Sequence, residues 1–395
     1  LFVPVSLSGP CPPVIDFAAA TVAGTSAHRT AMSRTGLGRR IAVETRCPVP
    51  PPRHSLITSR EMPNPAHKRE DGRGERVLPG IWRLRLPLPW PGVPHCNAWA
   101  VAAGDGIVLF DCGMHEPGSL AHLERAMDQV NLKLEHVRLL VCTHAHSDHY
   151  GQAQTVVERS GCELWMHPNH DHMLKTARDP DASLDRRIEV ARQSGVPDVA
   201  LKLLEKPRGQ PYGIAGIIEP DRDLVPGVEI STDLGAWHVY ETPGHAPSHV
   251  CLYQPERRIM ISGDHLLGRV SLWYDYGYSP DPAGEFLSSL DLVEGLDARL
   301  CLSGHGRTFT DTKAHIDANR SLVNERIEKV FGALDGEPLT AFEIIPRVYD
   351  AELTPTTGAW WLNETLVYLR HLEVQGQVER LPGEFGPVER WAKLA

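Results

Sequence analysis

The chain has 395 residues, 42% apolar and 23% charged, with a net charge of −10. This is the composition of an ordinary globular protein and excludes a wholly disordered or fibrous chain. No stretch approaches the ~18–20 uninterrupted apolar residues of a spanning helix, which argues against an integral membrane protein built on such helices. Charge is uneven: residues 1–60 carry seven arginines against Asp16 and Glu44, leaving the remainder near −15. A body that acidic is poorly suited to gathering a phosphate backbone. Eight dispersed cysteines without a CxxC pair read as buried thiols in a reducing, cytoplasmic compartment.

From Leu1 to Arg76 no helical or strand period is sustained, so residues 1–76 are expected to be a disordered or non-native tail, with Met62 as a candidate natural start. A signal peptide would need a basic segment ahead of its apolar one, whereas the first basic residue is Arg29 and Asp16 interrupts the apolar stretch. Order is expected near Val77. Ile81–Leu86 alternates around Arg83 and Arg85 as a half-buried strand, and Asn97–Ala103 is its neighbour. Gly106–Phe110 is a short buried strand ending in Asp111, and residues 117–130 place Leu120, Leu123, Met127 and Val130 at helical spacing. Three further strands end in polar loops: Val137–Cys142 before His144, Ala236–Glu241 before His245, and Arg258–Ile261 before Asp264. A fourth, Leu300–Leu302, precedes His305. The expected fold is therefore α/β or mixed α+β, with strands delivering His or Asp at their ends.

Residues 173–225 break this pattern. Asp185–Gln193 and Val199–Glu205 read as helices, and the proline- and glycine-rich Pro207–Gly216 follows; the whole is either a lid over the site or a packing insertion. The catalytic domain is placed at 77–312, a linking helix at 313–334, and a small winged-helix-like domain at 335–395. That last domain has helices at 340–349 and 358–375 and a hairpin turning at Pro382-Gly383.

The chemistry lies in Thr143-His144-Ala145-His146-Ser147-Asp148-His149, directly after a buried strand. His144 and His146 can chelate one ion; Asp148 and His149, further round the turn, can face a second about 3.5 Å away. His245 completes the first group and His305 the second, and Asp264 has one carboxylate oxygen for each ion. Five neutral histidines and two carboxylates leave net positive charge on such a pair, enough to hold a bridging hydroxide at neutral pH. Asp148 is both a ligand and the candidate proton acceptor.

These motifs, with Pro-Gly-His, Ser-Gly-Asp and Ser-Gly-His following in order, resemble the metallo-β-lactamase superfamily over residues 78–306. The resemblance implies an αβ/βα sandwich with the metals at one edge between two sheets. It implies two divalent ions, zinc foremost with iron or manganese as alternatives, and Asp111 as a carboxylate orienting a ligand histidine. Asp264 stands where the commonest β-lactamases carry cysteine, which disfavours antibiotic hydrolysis. The pattern is similar instead to glyoxalase II, lactonases and phosphodiesterases, and the C-terminal module resembles the β-lactamase-like protein 2 branch.

Two clusters need separate assignment. His167, His170 and His172 include an HxH but lack a following Asp-His, so they are placed at the rim or surface rather than at a third metal. Tyr274, Tyr276 and His249 are candidate substrate-binding residues. Residues 331–395 hold five basic against ten acidic residues, so nucleic acid is not the expected partner of the C-terminal module. It is read as a packing or dimer-forming element, and the expected partner of the site is a small molecule. The expected function is a dinuclear hydrolase of a thioester, lactone or related ester. Alternatives are a phosphodiesterase or endoribonuclease, a mono-iron persulfide dioxygenase, and a non-catalytic metal-stabilised binding protein.

Overall fold

Strands such as Val250–Gln254, buried along their whole length, need cover on both faces, and the chain supplies it with two sheets packed back to back and helices outside each. The computed structural model describes residues 71–90, 92–204, 213–269, 272–350, 353–383 and 386–394. The tail expectation for residues 1–70, Met62 included, lies outside the described residues, as does part of Pro207–Gly216.

β1 (Arg73–Leu78), β2 (Ile81–Trp90), β3 (Val93–Ala103), β4 (Gly106–Phe110), β5 (Val137–Val141), β6 (Glu163–Met166) and β7 (Arg222–Asp223) form a seven-stranded sheet in that order. Pairing is antiparallel up to β4 and parallel from β4 to β7. β1 begins four residues before the expected onset of order at Val77: its polar sequence RGERVL carries no burial signal, and it is held by pairing with β2. The second sheet has the order β12 (Leu300–Ser303), β11 (Ile259–Gly263), β10 (Val250–Gln254), β9 (Gly235–Glu241), β8 (Glu229–Thr232).

Alternation sorts the side chains into layers. Trp99, Val101, Phe110, Trp237, Leu252 and Leu302 fill the space between the sheets, with the Phe110 and Trp237 rings 5.7 Å apart from opposite sheets. Ala98 and Leu109 point the other way, against Leu123 and Met127 of α1 (Ser119–Asp128) and Val156 of α3 (Ala153–Ser160). Cys251 and Met260 meet Phe286 and Leu290 of α7 (Pro282–Glu294) and Ile316 and Val323 of α8 (Thr312–Ala333). Helix, sheet, sheet, helix is the αβ/βα sandwich.

In the insertion, α4 (Asp171–Arg178), α5 (Pro180–Gln193) and α6 (Asp198–Leu204) follow one another. α5 starts five residues earlier than expected, at a proline whose preceding Asp179 side chain accepts from the Ala182 amide at 2.9 Å. At the C-terminus, α9 (Ala341–Val348) and α10 (Pro355–Val374) precede a hairpin of β13 (Val378–Leu381) and β14 (Arg390–Lys393). Ile344, Leu366, Val367 and Trp391 share one core with the outer face of the second sheet. Among the described residues no helix is long and apolar enough to cross a membrane.

α9 is started by a reciprocal cap: the Glu343 amide donates to Thr340 Oγ1 at 3.2 Å and the Thr340 amide to Glu343 Oε2 at 2.8 Å. Thr340→Ala is expected to lower stability by ~1 kcal/mol, read as a lower urea midpoint at unchanged m-value.

Candidate metal centre

Every candidate ligand leaves the C-terminal end of a strand. β5 runs into residues 143–146 and the single turn of α2 (Ser147–Tyr150), β9 into His245, β11 into Asp264 and β12 into His305. Strands of both sheets therefore bring residues over 160 positions apart to one edge of the sandwich. Gly244 makes the β9 turn possible, with φ +121° and no room for a Cβ, which would lie 2.6 Å from the Phe286 backbone.

The first group is His144, His146 and His245, all buried, with ligand-capable atoms within 4.8 Å of one another. Each histidine has one ring nitrogen tied to the protein and the other turned inward. His245 Nδ1 donates to the Trp273 carbonyl at 2.9 Å, leaving Nε2 only 3.0 Å from His146 Nδ1. His146 Nε2 donates to Asp275 Oδ2 at 2.8 Å. His144 Nδ1 lies 3.0 Å from Thr143 Oγ1, whose hydroxyl donates to Asp111 Oδ2 at 3.0 Å, so the imidazole is the donor in its own contact.

The second group is Asp148, His149, Asp264 and His305, again within 4.8 Å. His149 Nδ1 donates to Asp111 Oδ2 at 2.8 Å and His305 Nδ1 to the His95 carbonyl at 2.9 Å. Asp264 stands between the groups: Oδ1 is 3.4 Å from His149 Nε2, while Oδ2 is 3.1 Å from His305 Nε2 and 3.8 Å from His245 Nε2. Asp111 receives three bonds, from the Thr143 amide, the Thr143 hydroxyl and His149. They hold it at φ +61°, a left-handed conformation costing ~1–3 kcal/mol for a non-glycine residue.

The donor chemistry fits divalent cations. His144 Nε2, His149 Nε2 and Asp264 Oδ1 are buried without a hydrogen-bond partner, an arrangement that costs free energy unless a cation receives those lone pairs. Gly304 keeps the space clear, since a Cβ there would sit 2.1 Å from Asp264 Oδ1.

Electrostatics divides the groups. Burial and mutual repulsion push the His144 imidazole well below its ordinary range and His245 down to about 4, so both offer lone pairs at neutral pH. Burial also lowers His305, but Asp264 and Asp148 more than offset it and raise the imidazole to about 10. Burial raises Asp148, yet His149 and His305 outweigh that and hold its carboxyl down to about 2. The second group is a concentrated pair of carboxylates that demands positive charge.

All seven expected ligands and Asp111 thus converge. The expected substrate residues do not. Tyr274 is fully buried in the core against Phe286 and Tyr368, and Tyr276 packs on that same core. His249 has both nitrogens occupied: Nε2 accepts from the Asp264 amide at 3.0 Å and Nδ1 bonds Thr242 Oγ1 at 2.8 Å. It supports the Asp264 loop from beneath.

The His167/His170/His172 cluster also separates, because each ring turns to a different carboxylate. His167 pairs with Glu241 at 3.0 Å and His170 with Glu219 at 3.3 Å, while His172 Nε2 reaches Asp275 at 3.1 Å. His146, His172 and Asp275 form a further group of close donor atoms, and Asp275 is the residue the sequence reading missed. Its signal was an isolated carboxylate inside the aromatic run Trp273-Tyr274-Asp275-Tyr276. Arg83 was also misjudged as a solvent-side position. It is buried and bonds Asn97 Oδ1 at 2.8 Å as well as the Gly306 carbonyl, while Asn97 donates to the Ser303 carbonyl at 2.8 Å, so the first sheet grips the loop of His305.

A cavity of about 350 Å³ opens onto the ligands, bounded by Trp90, Val93, His95, Trp273 and Trp360 among others. Among the described residues, none of the insertion 173–225 lines it; the contact that reaches the site from α4 is made by His172, one residue before the insertion.

A family profile described as Metallo-beta-lactamase superfamily matches residues 91–305. The probable metallo-hydrolase YqjP of Bacillus subtilis is 28% identical over 303 residues, 74% of this chain and 92% of its own length. A β-lactamase-like protein 2 homolog of Caenorhabditis elegans is 21% identical over 77% of this chain and 88% of its own. An atrochrysone carboxyl ACP thioesterase of Aspergillus chevalieri is 24% identical over 66% of this chain and 67% of its own. The crystal structure of a metallo-β-lactamase family protein from Thermus thermophilus aligns with a TM-score of 0.66 at 26% identity, over 81% of this chain and 100% of that one.

Proposed function

The chain belongs to the metallo-β-lactamase superfamily, and from that premise we propose that it is a dinuclear metal-dependent hydrolase of a thioester, lactone or similarly activated ester. The observation that carries the reading is Asp264, one carboxylate within 4 Å of histidines from both ligand groups. Three imidazoles suit zinc at the first group, and the carboxylate-rich second group suits zinc, iron or manganese. Two divalent ions held there would polarise the substrate carbonyl and lower the pKa of water to the neutral range.

The chain's own residues favour a good leaving group. His146, His245 and His305 are committed as ligands, and the remaining histidine of the cavity wall, His95, is pushed down to about 3 by burial and by Arg85 and Arg83. It is neutral at pH 7 and cannot deliver a proton. An amine or a lactone's alkoxide leaving group needs one; a thiolate, with a thiol pKa of about 8.5, departs without, which ranks the thioester ahead of the lactone. Water adds at the acyl carbon, the C–S bond breaks, and an acid and a thiolate leave. Asp148, beside the cavity and held down to about 2, is a weak base, so it does not keep the proton released by the attacking water but relays it to solvent, and the thiolate leaves unprotonated. The thioesterase relative supports the same bond type. The six cysteines among the described residues, all free and buried, support a reducing, cytoplasmic setting.

The test is metal content of the purified full chain, followed by side-by-side assay of a thioester, a lactone and a phosphodiester. About two equivalents of zinc with thioester or lactone turnover are expected. Turnover of the phosphodiester alone would replace this reading with a phosphodiesterase, and one equivalent of iron with oxygen uptake on a persulfide would replace it with a dioxygenase.

A further inference from the structure

The cavity wall carries more information about the substrate than the metal ligands do. Its apolar lining includes three tryptophans, Trp90, Trp273 and Trp360, with Val93, Pro94 and Leu267. These come from separate parts of the chain and are anchored to the two ligand groups independently. Trp273 belongs to the segment whose carbonyl receives His245 Nδ1, and Val93 and Pro94 immediately precede His95, whose carbonyl receives His305 Nδ1. One aromatic wall therefore stands by the first group and a second apolar wall by the other.

Trp360 reaches the cavity from α10, in the C-terminal segment, and meets Trp273 edge-to-face, with ring centroids 5.2 Å apart and planes inclined at 67°. That contact, together with Asn363 Nδ2 donating to the Tyr274 carbonyl at 2.6 Å, fixes where the indole lies. Both indoles are partly exposed into the cavity rather than sealed in the core, unlike Trp99, Trp237 and Trp391, which are fully buried. Apolar area left open beside a catalytic edge is a cost to the free protein that a ligand recovers by covering it. Planar indole faces do this best for a planar group. The volume of about 350 Å³ is near the lower end of the ~300–1,000 Å³ of small-ligand pockets, enough for a fused bicyclic acyl group.

We propose that Trp360 and Trp273 form the acyl-binding wall of this site and select a planar aromatic acyl group. This rests on the hydrolase reading above. The C-terminal segment is then part of the active site as the specificity element.

The experiment uses the zinc-loaded full chain and the N-acetylcysteamine thioesters of 2-naphthoate and acetate, with neutral 2-naphthamide as a binding probe. The kcat/KM ratio of naphthoyl to acetyl thioester is expected to fall about tenfold in Trp360→Ala and to recover largely in Trp360→Phe, with the Kd for 2-naphthamide weakening about tenfold in step. Val93→Trp, which fills the cavity from another element, provides a second route to the same loss if Trp360→Ala does not fold. An unchanged ratio and Kd in both variants would overturn the proposal. Turnover of acetyl but not naphthoyl thioester would overturn it while leaving the hydrolase reading intact. If neither thioester is cleaved but 2-naphthamide binding still depends on Trp360, the aromatic site stands and the reaction assignment falls.

Discussion

Replacing Asp264 with alanine is expected to leave a folded protein that retains about one metal equivalent and loses on the order of 10³-fold or more in turnover, several kcal/mol of transition-state stabilisation. The geometry sets that size. Asp264 faces His149 through one oxygen and His305 and His245 through the other, so its removal takes a donor from each group at once. The second group keeps Asp148 as its sole carboxylate, and the charge balance that draws a second cation is lost. Folding should survive, because Gly304 packs directly against the carboxylate and solvent can fill the small volume left behind. Asp264→Asn separates charge from shape: it keeps an oxygen donor, and an intermediate loss of metal would show that the negative charge contributes. The measurement is metal stoichiometry after dialysis against trace-metal-free buffer, with turnover on the best substrate as the second readout. Full metal content and undiminished turnover in Asp264→Ala would remove the shared-carboxylate assignment.

The convergence of the candidate ligands was legible in the sequence because each is tied to a local signal. An apolar run ends and a histidine or aspartate follows within a few residues, after a glycine for His245, Asp264 and His305 and directly for the group at 144–149. That logic works wherever a functional residue sits at a strand end, and all seven candidate ligands do. It fails for residues whose role depends on what the fold brings from elsewhere. Arg83 looks like the polar half of an alternating strand, and only the approach of the β12 loop makes it buried. Tyr274 and Tyr276 looked like pocket aromatics because they follow the Asp264 strand closely. The backbone there turns Trp273 and Asp275 toward the site, and Tyr274 and Tyr276 toward the helices. A one-residue difference in phase decides which side chains meet substrate, and composition does not set that phase.

The same segment shows why the C-terminal helices matter to the site. The Trp273 carbonyl orients His245, the Asp275 amide bonds the His245 carbonyl at 3.1 Å, and Asp275 orients His146. Two of the three candidate ligands in the first group are thus set by Trp273 and Asp275, and α10 braces that segment through Asn363, which bonds the Tyr274 carbonyl between them, and Trp360. The acidic surface of the C-terminal module argued against nucleic acid; its buried face supplies the positive role, as a strut behind the metal-orienting loop.

Asp275 is where that strut acts on the chemistry, and Asp275→Asn is expected to weaken the first metal group by ~10–100-fold in affinity. A histidine that ligates through Nδ1 must carry its proton on Nε2, and the 2.8 Å contact to Asp275 Oδ2 enforces that tautomer. Burial raises the Asp275 carboxyl, but His146 and His172 outweigh it and hold it well below the usual carboxylate range, so it stays an acceptor. An asparagine can turn its NH₂ toward Nε2 instead, which moves the proton to Nδ1 and removes the lone pair from the metal. Competition with a calibrated chelator reads this directly, and the second group, which does not touch Asp275, should keep its affinity. His172→Gln makes the control: it removes the second partner of Asp275 at 3.1 Å while leaving the His146 contact in place, so its effect on the first group should be several-fold smaller. Equal losses from both substitutions would mean that the packing of α4 onto the loop, and not the tautomer of His146, sets metal affinity; no loss in Asp275→Asn would mean that His146 holds its ligating form without help.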